Sequence, residues 1–203
     1  DKRGLRPLPV KQVLGMVNLQ HFGMKWLRGE DFKAFFEMLE KLPRLKELEI
    51  TVGDGQHLLS TIGNLPTLEY LKISGKSLGE FPKEIENLTN LRTLELWIYQ
   101  WDNIGRKSHL AALGGLPKLE ELVLDAKFNT PSGFGSLKQL KVLEARGLPN
   151  DLNGISELTS LEDLTLEYGG RDADVRATEG LHALKRLKIK TSGKITFPPS
   201  WAK

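Results

Sequence analysis

No cysteine occurs among the 203 residues, so no disulfide frames the chain and no thiolate can act as nucleophile or metal ligand. Long apolar runs are missing too, and the opening Asp1-Lys2-Arg3-Gly4 lacks the hydrophobic core of a secretory leader. Membrane insertion is therefore not expected. Excess charge is scarce: 29 Lys and Arg face 26 Asp and Glu, leaving +3, too even a balance to point to nucleic acid. The four histidines, His21, His57, His109 and His182, are scattered without metal-ligand spacing. Gly75-Lys76-Ser77 ends like a phosphate-binding loop, but the position where that loop needs its first glycine holds Tyr70. No serine sits in a nucleophile context. Neither metal, cofactor nor catalysis is expected of this segment.

What the chain has instead is one frame, L-x-x-L-x-L, written eight times. Clear copies are Leu45-x-x-Leu48-x-Ile50, Leu68-x-x-Leu71-x-Ile73, Leu91-x-x-Leu94-x-Leu96, Leu119-x-x-Leu122-x-Leu124 and Leu161-x-x-Leu164-x-Leu166. Looser ones begin at Leu19, Leu140 and Leu184. Successive first leucines (19, 45, 68, 91, 119, 140, 161, 184) are 26, 23, 23, 28, 21, 21 and 23 residues apart. A unit of that length repeated along a chain is a solenoid, whose turns bury their apolar faces against one another. Within the frame, Leu48 and Ile50 alternate with Glu47, Glu49 and Thr51, the period of a strand buried on one face. Strands of one polarity joined by long connections pair in parallel. Apolar lead-ins such as Ile85 and Leu88, or Phe134 and Leu137, would seal the opposite side of each turn. The unit from Leu19 has Phe32, Phe35, Phe36, Leu39 and Leu42 at helical spacing, with Glu30 and Asp31 ahead of them, and predicts a true helix. The two 21-residue units leave room for no more than a turn.

These eight in-frame copies resemble the leucine-rich repeat family. The resemblance implies an α/β fold: a right-handed horseshoe solenoid with a parallel sheet on its concave wall and helices, 3₁₀ turns or loops on the convex side. It implies one domain of about eight repeats over residues 1–203, acting as a non-catalytic recognition module whose partner is another protein or a peptide. The irregular units are similar to those of plant intracellular immune receptors, or of bacterial proteins such as effectors. Extracellular members commonly close their ends with disulfide-bonded caps, so the lack of cysteine implies a cytoplasmic setting. An alternative stays open, that the segment selects substrates for a larger enzyme. Leu5-Arg6-Pro7-Leu8-Pro9-Val10 reads as the remains of an earlier strand. Phe197-Pro198 and Trp201 fall in the frame of Phe81-Pro82 and Ile85. Both ends therefore predict a piece of a longer protein, or a final half-repeat used as a lid. The sequence departs from the family at the ninth position of the frame, usually Asn. Leu27, Gly53, Lys76, Tyr99, Lys127, Leu148, Gly169 and Ser192 stand there, so the usual amide ladder is absent or displaced.

Candidate site residues gather where the aromatics do. In Leu96-Trp97-Ile98-Tyr99-Gln100-Trp101, Trp97 should project from the concave wall, with Tyr99 and Trp101 on the loop at its rim. Tyr70 lies one strand away, and Trp26 and Tyr168 occupy late positions of outer strands. Exposed aromatics anchor interfaces because they bury much area with few rotors to freeze. Trp101 has a second reading, as an inward filler of the gap left by the missing Asn. Glu95, Glu121 and Asp125 join the candidate face as part of an acidic wall, against a last strand carrying Arg186, Lys188 and Lys190. Structural pairing offers a plainer account of some of these charges: Asp125, Arg146, Glu167 and Lys190 form a row of alternating sign, and Asp163 meets Arg186.

Overall fold

The structure is a computed structural model, and it describes residues 13–27, 32–53, 62–76, 83–98, 110–125, 133–147, 152 and 154–202. Eight parallel strands form one open sheet in sequence order: β1 (His21–Leu27), β2 (Glu47–Val52), β3 (Tyr70–Gly75), β4 (Thr93–Ile98), β5 (Glu121–Asp125), β6 (Val142–Arg146), β7 (Asp163–Glu167) and β9 (Arg186–Lys190). The register repeats the sequence frame, so that Leu48, Leu71, Leu94, Leu122, Leu143, Leu164 and Leu187 are neighbours across the sheet. From Leu48 to Leu164 that row is fully buried. Each strand is entered the same way: one carbonyl takes two N–H groups from the next turn, as when Glu69 O accepts from Arg92 N (2.8 Å) and Thr93 N (3.1 Å). The repeated alternation thus becomes a solenoid whose turns are tied at the entries of β2 to β7 and β9 by these paired backbone bonds.

The convex side follows unit length. In the unit from Leu19 the aromatic spacing gives helix α1 (Phe32–Leu39), with Phe35, Phe36 and Leu39 in the core. Among the described residues the 21-residue units show three-residue 3₁₀ turns, Phe134–Ser136 and Ile155–Glu157. The lead-ins Ile62, Leu65, Ile85, Leu88, Leu113, Leu116, Phe134, Leu137, Ile155 and Leu158 are all buried. The reading of Leu5–Val10 as an earlier strand lies outside the described residues. A feature the frame does not show is a second, two-stranded parallel sheet, β8 (Ala173–Asp174) with β10 (Ile195–Thr196).

The missing Asn is explained by a longer strand. β2, β3 and β4 carry their alternation one step further, so the eighth position turns inward and the ninth is left outside. Val52, Gly75, Ile98 and Tyr168 are buried there, while Gly53, Lys76, Gly169 and Ser192 are exposed. Gly75 is required by closeness, since a Cβ on it would stand 2.7 Å from both the carbonyl oxygen and Cγ2 of Val52. That packing, not a phosphate, accounts for the glycine of Gly75-Lys76-Ser77. Amide and hydroxyl bonding between turns has moved to the residue before the first leucine. Thr67 Oγ1 donates to Leu45 O (2.7 Å), Asn90 Nδ2 to Pro66 O (2.9 Å) and Gln139 Nε2 to Leu116 O (2.9 Å).

Candidate functional site

Outward positions of the eight strands form the concave wall, and Trp97 stands near its middle on β4. Strand alternation places it there: Leu94, Leu96 and Ile98 point inward, so Thr93, Glu95 and Trp97 point out and are partly exposed. Its indole is held on several sides. Nε1 donates to Glu95 Oε2 at 2.9 Å. Lys72 Nζ lies 5.3 Å from the ring centroid and Arg146 Cζ 4.7 Å. Each cation contributes about 0.5–1 kcal/mol at a partly exposed ring. Arg146 is fixed in turn by Glu144, its Nε donating at 2.8 Å.

Glu95 is the hub. Besides the indole it accepts from the Tyr70 hydroxyl at 3.0 Å and pairs with Lys72 at 3.2 Å. Burial works to raise its pKa, but the bonds from Trp97, Tyr70 and Lys72 outweigh it and hold the carboxyl below its ordinary value. The Tyr70 phenol is pushed the other way, by burial, by its bond to Glu95 and by the charges of Glu49 and Glu47. Lys72 sits in register between Glu49 and Glu95 and makes its ion pair with Glu95. The wall therefore brings together Tyr70, Glu95 and Trp97, with Asp125 beside Trp97 in register and Glu121 beside Thr93.

Other sequence candidates fall elsewhere. Tyr168 is not an exposed anchor: it is 1% exposed, because it occupies the inward eighth position, and its hydroxyl reaches Asp174 O at 3.4 Å. Burial, then the Asp174 charge, pushes its pKa up to about 12. Trp26 lies where the β1–β2 register shifts between Met24 and Leu27, and its side chain is outside the described residues. Tyr99 and Trp101 are also outside them, so the choice for Trp101 between rim and filler belongs to the sequence alone.

Pairing accounts for part of the charge row. Lys190 bonds Glu167 at 3.2 Å, and Arg186 bonds Asp163. Arg146 bonds Glu144 on its own strand, a pairing the cross-strand row does not include. A stricter row was legible and missed, at the position after each first leucine. Lys46, Glu69, Arg92, Glu120, Lys141, Glu162 and Lys185 alternate in sign without exception. Lys46–Glu69, Glu120–Lys141 and Glu162–Lys185 close at 2.8 Å, and Arg92–Glu120 at 3.6 Å. The cations around Trp97 were missed as well, although the frame puts Lys72 on the neighbouring strand and Arg146 in the same row.

Two recesses open on the wall. One, of about 600 Å³, lies on β1 to β3 over Gly23, Lys25, Glu49, Thr51, Lys72 and Ser74. The other, of about 590 Å³, runs from Trp97 past Arg146 and Gly147 to Glu167 and Arg171. Gly147 and Gly169 turn the chain out of β6 and β7 with φ of 68° and 58°, which leaves that recess open at its upper rim. The geometry is that of a fixed aromatic ridge between two hollows of mixed polar and apolar lining. Among the described residues no group of His, Asp or Glu is placed to hold a metal ion.

Comparison with known proteins agrees with this construction. A family described as "Leucine-rich repeat region" matches residues 52–201. The disease resistance protein RGA5 of rice is 30% identical over 167 residues, covering 74% of this chain and 14% of that protein. Cuscuta receptor 1 of tomato is 31% identical over 172 residues, 78% of this chain and 15% of the receptor. The chain thus spans about one seventh of either relative. A leucine-rich repeat protein of Leptospira interrogans shares the fold with a TM-score of 0.55 at 21% identity, over 91% of this chain and 52% of the other.

Proposed function

Because the chain belongs to the leucine-rich repeat family, we propose that its concave sheet is a recognition surface for another protein or a peptide, with Trp97 as the central anchor. Domains of this family are in general recognition modules without chemistry of their own, and the proposal gives that role a place on this chain. The observation that carries it is the state of Trp97. A large aromatic stands partly exposed at the middle of the wall, already oriented by Glu95, Lys72 and Arg146. An anchor fixed before its partner arrives loses little entropy on binding, which is where preorganised interfaces gain affinity. Glu95 and Tyr70 complete the anchor as its support. The cysteine-free composition supports work in a reducing, intracellular compartment. Within a longer protein, the same face would select what the rest of that protein responds to or acts upon.

The test uses peptide or protein ligands selected against the folded chain from a display library. Truncating a central anchor costs about 2 kcal/mol or more, roughly a thirtyfold loss of affinity. Trp97→Ala should weaken the selected ligands by that much while its melting curve stays cooperative. Ligands that bind Trp97→Ala as tightly as the parent would move the recognition surface off the concave wall.

A further inference from the structure

The concave wall is electrically divided in a way the chain as a whole is not. On β1 to β5 the outward positions carry five carboxylates (Glu47, Glu49, Glu95, Glu121 and Asp125) against two lysines, Lys25 and Lys72. That is an excess of three negative charges on one half-face of a protein whose net charge is +3. On β6, β7 and β9 the sign reverses, with Glu144, Asp163 and Glu167 against four cations.

Internal pairing does not cancel the acidic half. Lys72 neutralises Glu95, and Asp125 lies in register beside Arg146. Among the described residues Glu47 meets only the imidazole of His21, at 2.8 Å, Glu121 receives only the Thr93 hydroxyl, at 3.4 Å, and Glu49 has no ion pair. Tyr70 and Thr93 stand between Glu47 and Glu121 in the same cross-strand row. With strands ~4.8 Å apart, the backbones of Glu47 and Glu121 are roughly 14 Å from one another along the row.

We propose that the occupant of this half-face is a basic segment of a partner protein, an extended stretch bearing lysine or arginine. Its cations would meet Glu47, Glu49 and Glu121, and its apolar positions would rest on Tyr70 and Trp97. Charge complementarity selects it: an acidic segment would be repelled by the carboxylates of β2 to β5, whereas a basic one is attracted there and repelled toward β9. The sign reversal toward β9 fixes polarity, placing the most basic part of the segment away from Arg186, Lys188 and Lys190. This rests on the concave face being the recognition surface.

The experiment titrates the isotopically labelled chain with a synthetic Lys- and Arg-rich peptide carrying interspersed leucines, and with a Glu- and Asp-rich peptide of equal length. Amide shifts map where each one binds. The basic peptide should perturb β2 to β5 and the Trp97 indole, and lose affinity as salt is raised. The double substitution Glu49→Gln, Glu121→Gln should weaken it roughly three- to tenfold, while Glu179→Gln on the convex side leaves it unchanged. Binding of the acidic peptide to β2 to β5, or an unaltered affinity in the double variant, would overturn the basic-segment proposal. If library-selected ligands still depend on Trp97 in that case, the recognition surface stands and only the partner's charge is wrong. If neither they nor the basic peptide touch the concave wall, both readings fall.

Discussion

Trp97 and Glu95 lie two residues apart on one strand, and the indole Nε1 donates to the carboxylate at 2.9 Å. A bond of this kind reports that the aromatic is oriented by its own strand and does not depend on a loop to aim it. Same-face neighbours on a strand are about 7 Å apart at Cα, from the rise per residue, within reach of an indole and a glutamate. The consequence is that the anchor and the sheet form one unit.

That unit can be taken apart stepwise. Trp97→Phe keeps a ring between Lys72 and Arg146 but removes the donor to Glu95, and should lower stability by about 1 kcal/mol in urea unfolding. Trp97→Ala removes the ring contacts as well and should cost more. Equal losses for the two variants would show that the cation contacts contribute nothing.

Acid should act through Glu95. Its carboxyl is held below its ordinary value, so the ionised form is favoured by folding. The stabilisation is complete above the ordinary carboxylate range and fades as the pH falls through the lowered value. Urea unfolding of the parent and of Glu95→Gln should differ most at neutral pH and converge in acid. A gap that is constant across the titration would place the origin of the difference outside this ionisation.

Leu94 is fully buried and lies in register between Leu71 and Leu122. Leu94→Ala should cost roughly 2–5 kcal/mol. Since each turn is held by its neighbours, the loss falls at the junction of the two halves and should make unfolding less cooperative. A denaturant midpoint and slope equal to the parent's would sink this account of the core.

Gly75 offers a test of the displaced ladder. A methyl group there would meet the Val52 carbonyl, which is backbone and cannot swing aside. Gly75→Ala should therefore destabilise by about 1–3 kcal/mol despite its small size. Pairing it with Val52→Ala relieves only the Cγ2 contact, so most of the loss should remain. Full rescue by Val52→Ala would place the clash in the side chain alone.

At the far end Phe197 and Trp201 stack with centroids 5.9 Å apart, yet each stays nearly half exposed. Deleting residues 195 to 203 removes that pair and also β10, whose Thr196 O accepts from Val175 N. Lower thermal stability and self-association in light scattering are expected. A truncated chain that stays monomeric and melts like the parent would show that this segment covers nothing.

The repeat, its register and most of the core were written in the chain itself, because a period of 21 to 28 residues around L-x-x-L-x-L allows one way of stacking. Alternation alone also put Glu95 and Trp97 on one outward face. What the sequence could not settle is where each strand stops alternating. A single further step in β2 to β4 turned the eighth position inward, and the same inward turn just past the end of β7 buried Tyr168, which the frame had left outside. Pairing was undecided for a similar reason. Arg146 had carboxylates within reach on its own strand and on both neighbours, and it took the packed geometry, with Trp97 lying under the guanidinium, to bring Glu144 to it as a bonded partner. Local pattern fixes which face a residue joins, since that depends on strand period. Which partner it takes there depends on distances between strands, and those exist only once the solenoid has closed its turns against one another.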